Sequence, residues 1–235
     1  IGHYGTAIAG LALILFFLVF APNFATSTNI INVLKDTSFL AILAIGFTLA
    51  FTVAELDLSI AEMASLSAVV CGWLVQLQYP PAVAVMAALS VGVVLGSVNG
   101  LGVTVLRIPS LIMTLGTAAI AKGLAFMITQ GVAFVGRWPV GFTGLARGYT
   151  FGMPNLVLWM TAATLFAWGL VKWTRTGAHM VATGEADEAA RLAGIATAKM
   201  KRIGLLLAGI FAGIMAALLA ANLSSACLLY TSRRG

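Results

Sequence analysis

Charge is what this chain of 235 residues has least of: Lys and Arg number 13, Asp and Glu 7, together 9% of the whole. A soluble domain carries roughly 25%. So thin a charged coat cannot cover a water-soluble fold of this size. That excludes a cytosolic enzyme domain, a nucleic-acid-binding module and a disordered tail. Cysteine is as scarce. Cys71 and Cys227 both stand in apolar surroundings and make neither a disulfide framework nor a metal site. The two histidines, His3 and His179, have no nucleophile near them in sequence, so a hydrolase has no candidate residues. No glycine-rich phosphate loop with its lysine is present, and no cofactor is expected.

Apolar runs are what the chain has in plenty. Hydrophobic residues make up 61% of it and the mean hydropathy is +1.05. The fold class that follows is all-α: a polytopic helical membrane protein. About seven segments approach the roughly 20 residues of a spanning helix: Tyr4–Ala21, Phe39–Leu56, Leu58–Gln78, Ala82–Leu106, Ser110–Ile128, Asn155–Val171 and Ile203–Leu223. The first is the weakest, because its apolar stretch is short and a signal peptide is the alternative. It reads as a span because no basic region precedes it and no clear small-residue cleavage site follows. Segments two and three are separated only by the charged stretch around Glu55 and Asp57, which implies a tight re-entry.

The net charge of +6 is read as the Lys/Arg bias of cytoplasmic loops. The polar stretch Trp173–Arg202, with Lys172 at its edge, holds Arg175, Arg191, Lys199, Lys201 and Arg202. Placing it in the cytoplasm puts Arg107 inside as well and leaves Lys35, Arg137 and Arg147 outside. The N-terminus is then cytoplasmic. Residues 1–226 are expected to form the transmembrane domain, including a cytoplasmic loop at 173–202. Residues 227–235 resemble neither a span nor a loop and are expected to be foreign or truncated sequence.

Segment four carries Ala84, Ala88, Gly92, Gly96 and Gly100 at every fourth position, and segment seven carries Gly209, Gly213, Ala217 and Ala221. Such small faces let helix backbones approach closely inside a membrane. Polar groups at membrane depth need partners. Asp57 and Ser59 are expected to cap the helix that follows, with Glu62 in its first turn; a proton relay through Glu55, Asp57 and Glu62 is the alternative. Lys122 is expected to snorkel to the interface. Asn99, Thr114 and Thr117 offer uncharged hydrogen-bonding groups inside the bundle. With Asp57 and Ser59 they are the candidate pathway or gate, although hydrogen bonding between helices is the plainer role for each.

The stretch from Thr183 to Ile195 reads as one short helix. Glu185, Asp187 and Glu188 stand in its first turns, Arg191 lies toward its end, and Gly194 fits the left-handed position that closes a helix. Thr197 is expected to cap the next helix. So short a helix is marginal alone, and its alanine face (Ala186, Ala189, Ala190, Ala193) suits close approach to a partner.

Glu188-Ala189-Ala190 followed by Gly194 resembles the "EAA" loop of permease subunits of ATP-binding-cassette importers. Leu56-Asp57-Leu58-Ser59-Ile60 is similar to the "IDLSV" motif of the monosaccharide permeases, the ribose, xylose, arabinose and galactose group. Val98-Asn99-Gly100, Arg107-Ile108-Pro109, Thr114-Leu115-Gly116-Thr117 and Lys122-Gly123-Leu124 run in that group's order and spacing. Ala189-Ala190-Arg191-Leu192-Ala193-Gly194-Ile195 is similar to its "AARLSGI" stretch. The resemblance covers about residues 30–225. Members usually have glycine where Glu55 and Ala61 stand and commonly arginine where Lys122 stands.

The resemblance implies a fragment of a probable ten-helix permease in the bacterial inner membrane. It works with a second permease copy, a cytoplasmic ATPase subunit and an external sugar-binding protein, surrounded by lipid and with no nucleic acid. It implies that Glu185, Glu188, Ala189, Ala190, Arg191 and Gly194 couple the chain to the ATPase. A branched-chain amino acid permease of the same class and a proton-coupled secondary transporter stay open as alternatives.

Overall fold

The computed structural model describes residues 5–135 and 138–226. The expected foreign tail at 227–235, Cys227, Arg137 and His3 lie outside the described residues. The chain divides into two compact units, Ile1–Thr37 and Ser38–Gly235. The first unit contains α1 (Gly5–Phe20) and the start of α2 (Ser27–Phe51). Its turn is tied locally: Asn29 donates its side-chain amide to the Phe24 carbonyl at 2.9 Å, and Thr26 Oγ1 accepts the Asn29 N–H at 3.4 Å. The second helix therefore begins at Ser27, well before the expected Phe39. Lys35 and Asp36 lie within it, because hydropathy marks only the apolar part of a helix that starts on polar residues.

The second unit continues with α3 (Ile60–Gln76), α4 (Pro81–Thr104), α5 (Ser110–Thr129), β1 (Phe134–Val135), α6 (Val140–Arg147), β2 (Tyr149–Thr150), β3 (Met153–Pro154), α7 (Asn155–Trp173), α8 (Arg175–Glu185), α9 (Asp187–Leu192), α10 (Thr197–Leu223) and β4 (Ser225–Ala226). Pro80, Pro109, Pro139 and Pro154 stand immediately before α4, α5, α6 and α7. The fixed φ of each turns the chain from an extended entry into a helix. Among the described residues, α2, α4, α5, α7 and α10 are long and apolar enough to cross a membrane, while Ile8–Phe20 and α3 are shorter apolar helices. Leu40, Val94, Ile112, Ile120, Met127 and Leu165 lie exposed on the exterior, the arrangement a lipid surround permits.

The middle of the bundle is α10, whose apolar window is 67% buried against 6% for α7. It packs antiparallel on α4 through the two small-residue faces. Gly92 meets Gly209 backbone to backbone; a Cβ on Gly96 would lie 2.7 Å from the Leu205 carbonyl oxygen, and one on Gly213 would lie 2.9 Å from that of Ala88. Side chains of any size would force these helices apart. On its other faces α10 packs on α2, with Phe211 against Gly46, and on α3.

The strands tie the end of the bundle remote from the re-entry. β1 pairs antiparallel with β4, Phe134 opposite Ala226, and β2 with β3, Tyr149 opposite Pro154. Near them Arg147 donates to the Asn222 carbonyl at 2.6 Å. The short helix α6, which hydropathy did not reveal, buries Phe142 and Ala146 completely.

Candidate functional site

At the opposite end the chain leaves α2 at Phe51 and turns through Ala54, which holds φ +58°. It re-enters as α3 after Ser59. Ser59 occupies the N-cap position but its side chain makes no cap bond, so Ser59 does not cap the helix as expected. Asp57 Oδ1 instead accepts the backbone N–H of Ser59 at 2.9 Å and its hydroxyl at 2.5 Å. Ser59 Oγ in turn accepts from the Asn99 amide on α4 at 2.9 Å, and Asn99 Oδ1 accepts the Thr117 hydroxyl on α5 at 2.6 Å. Thr114 Oγ1 accepts the Leu58 N–H and lies 3.3 Å from the Leu56 carbonyl. Glu62 stands in the first turn of α3, as expected.

The five candidate pathway residues are thus brought together in one network across α3, α4, α5 and the re-entry. Asp57, Ser59, Asn99 and Thr114 are fully buried and Thr117 is 4% exposed. The physical reason is that a carboxylate taken from water must find donors. Asp57 finds them on one oxygen only; Oδ2 has no partner. The group lies buried between the helices. Among the described residues no hydrogen bond joins the carboxylates of Glu55, Asp57 and Glu62 to one another.

The loop between α7 and α10 folds against the same re-entry. Thr174 Oγ1 accepts the Gly177 N–H at 3.0 Å and caps α8, and Gly177 packs closely on Leu170 and Val171 of α7. Gly184 in α8 meets the Thr52 carbonyl with no room for a side chain. Val53, Met180 and Met200 make a small buried cluster beneath.

The single helix expected from Thr183 to Ile195 is therefore two. α8 runs through Glu185, breaks at Ala186 (φ −156°, ψ 87°), and α9 restarts at Asp187. A contact flanks the break on each side, Gly184 with Thr52 before it and Asp187 with Lys201 after it. Glu185 consequently closes α8 and does not open the second helix. Gly194 does adopt the left-handed conformation, at φ +85°. Thr197 does not cap α10; Ala196 holds that position and Thr197 is buried behind it.

Along α9, Ala190 turns inward while Glu188, Ala189 and Arg191 face out, and Leu192 is 82% exposed. Arg191 and Glu188 pair at 3.6 Å with both side chains largely in solvent, an interaction of little energetic weight. The Lys201 ammonium lies 2.9 Å from Glu55 Oε1 and 3.5 Å from Asp187 Oδ2. Nothing in the sequence around Glu55 indicates a partner for its charge. Lys201 is that partner, one turn into α10 and far away in sequence. An open cleft of about 550 Å³ beside this triad is lined by Arg107, Asp187, Glu188, Arg191, Thr197 and Lys201 among others. Among the described residues no group of His, Cys, Asp and Glu could hold a metal ion.

Residues 29–230 match the family model described as the permease component of branched-chain amino acid transport systems. The chain belongs to this permease family. It is 34% identical over 224 residues to the ribose import permease protein of Escherichia coli K12, covering 93% of this chain and 69% of that one. It is 33% identical to the L-arabinose transport system permease protein of the same strain, over 88% of this permease and 63% of the relative. The autoinducer 2 import system permease protein of Yersinia pestis is 30% identical over 81% and 54%. No solved structure matches. The permease is a multi-pass helical membrane protein of a transport family.

Proposed function

We propose that this permease is the membrane-spanning subunit of an ATP-driven importer, forms the path of a monosaccharide, and is gripped at α9 by a separate cytoplasmic ATPase. The observation that carries the reading is the way α9 is mounted. Its inner side is fastened to the bundle through Ala190 and Asp187, while Glu188, Ala189, Arg191 and Leu192 are held outward. Gly194 closes the helix in a conformation that side chains disfavour. A short anchored lever with a free outer face can make different contacts in two states, as coupling requires. The names of the ribose and arabinose relatives support a sugar as solute. The family description supports branched-chain amino acids as the second reading.

The partners of this arrangement are the ATPase, an external sugar-binding protein and a second permease copy in a bacterial inner membrane. Residues 173–202 lie in the cytoplasm with the N-terminus, and residues 1–226 are the transmembrane domain. Asp57, Ser59, Asn99, Thr114 and Thr117 are the gate, closed here. Glu185, Glu188, Ala189, Ala190, Arg191 and Gly194 belong to the coupling surface. The test is uptake of labelled pentoses and of leucine by proteoliposomes holding the full-length permease, ATPase and binding protein. ATP-dependent pentose uptake is expected, with Gly194→Pro and Glu188→Lys abolishing it while membrane insertion persists. Leucine uptake alone would favour the second reading. Uptake driven by a proton gradient without ATP would overturn both.

A further inference from the structure

We propose that Lys201 is a positioning residue for energy coupling: its two ion pairs latch α9 to the re-entry that carries the buried gate, and the latch opens when α9 is pulled. The proposal rests on the importer reading above and assigns it a specific load path. Lys201 touches Glu55 at 2.9 Å and Asp187 at 3.5 Å, so one ammonium bridges α9 and the re-entrant connection from its place on α10. Glu55 lies two residues from Asp57, and Asp57 leads through Ser59 and Asn99 to Thr117. The ion pairs end at Glu55 and the hydrogen-bonded network begins at Asp57, so two residues of backbone join the lever's latch to the meeting of α3, α4 and α5.

The two arms differ in a way that suits a latch. The side chain of Glu55 is 8% exposed and that of Lys201 23%, whereas that of Asp187 is 53% exposed. The inner arm is shielded, short and strong; the outer arm is longer, half in water and easily broken. Movement of α9 breaks the Asp187 arm first. That leaves the ammonium with Glu55 alone, changes the balance on the re-entry, and frees α8, whose Gly184 rests on Thr52. The contacts that remain, among Val53, Met180 and Met200, are apolar and non-directional, so they hold the parts together without fixing their angle.

The experiment uses the full-length permease reconstituted with its ATPase and sugar-binding protein, and compares ATP hydrolysed with sugar imported. Lys201→Met removes both arms and Asp187→Asn removes only the outer one. The expected result is uncoupling: basal hydrolysis without sugar rises about five-fold or more, and sugar imported per ATP falls by a similar factor. Reversing all three charges (Glu55→Lys, Lys201→Glu and Asp187→Lys together) is expected to restore coupling, which a merely structural loss would not allow. Where Lys201→Met fails to assemble, Asp187→Asn at its half-exposed position still reports. Unchanged coupling in Asp187→Asn, or failure of the triple reversal to recover it, overturns the latch while leaving the importer reading intact. Absence of ATP-driven uptake in the unaltered complex overturns the importer reading and the latch with it.

Discussion

Two regions of the permease hold helices together by opposite means. Along α4 and α10 the contact is made by glycine and alanine, with Gly92 against Gly209 and Gly213 against Ala88. At the re-entry it is made by Asp57, Ser59, Asn99 and Thr117, each with a defined donor or acceptor. In a membrane both strategies stabilise, because lipid offers neither close packing to a backbone nor hydrogen bonds to a side chain. They differ in what they permit. Van der Waals contact between smooth faces varies little when one helix slides or tilts, whereas a hydrogen bond exists in one geometry and is lost in another. The long interface suits the moving joint, and the polar cluster suits the stop.

The sharpest way to break that comparison is to roughen the smooth face. Gly92→Leu drives a side chain into the Gly209 backbone, which cannot retreat. The expected outcome is loss of the monodisperse folded species, read by size-exclusion of detergent extracts, since overpacking against backbone exceeds the usual cost of about 1–3 kcal/mol. Asn99→Ala should act more mildly. It removes the amide that joins Ser59 to Thr117 but leaves Ser59 its bond to Asp57 and Thr117 its bond to the Met113 carbonyl, so the cost is about 0.5–1.5 kcal/mol per bond lost. The protein should still fold with a lowered thermal midpoint. Equal damage from both substitutions would mean that the smooth face and the polar cluster are not distinct devices.

Much of this was legible before any coordinates. Apolar run length located the cores of the spanning helices, and the four-residue spacing of Ala84 through Gly100 announced a close-packed face on α4 because a helix repeats its faces at that interval, although not that α10 is its partner. Gly194 could be read as a helix stop because few residues accept its φ. Asp57, Ser59, Asn99, Thr114 and Thr117 could be named one by one, since polar groups are rare in apolar segments. Their joining into one network could not, because it depends on how α3, α4 and α5 are set side by side. Lys201 escaped for the same reason, as its partners come from two other elements. The break at Ala186 was hidden because local chemistry favours a continuous helix from Thr183, and the contacts that flank it, Gly184 with Thr52 and Asp187 with Lys201, come from distant parts of the sequence. The early start of α2 was hidden by the polar residues of its first turns.

The account stands most directly on whether α9 is held by a nucleotide-hydrolysing partner. A photo-reactive amino acid placed at Ala189, outward on α9, is expected to crosslink the ATPase subunit in the intact complex, with a yield that changes between nucleotide-free and ATP-trapped states. Ala189 that captures only lipid or solvent in a complex still importing sugar would contradict the account.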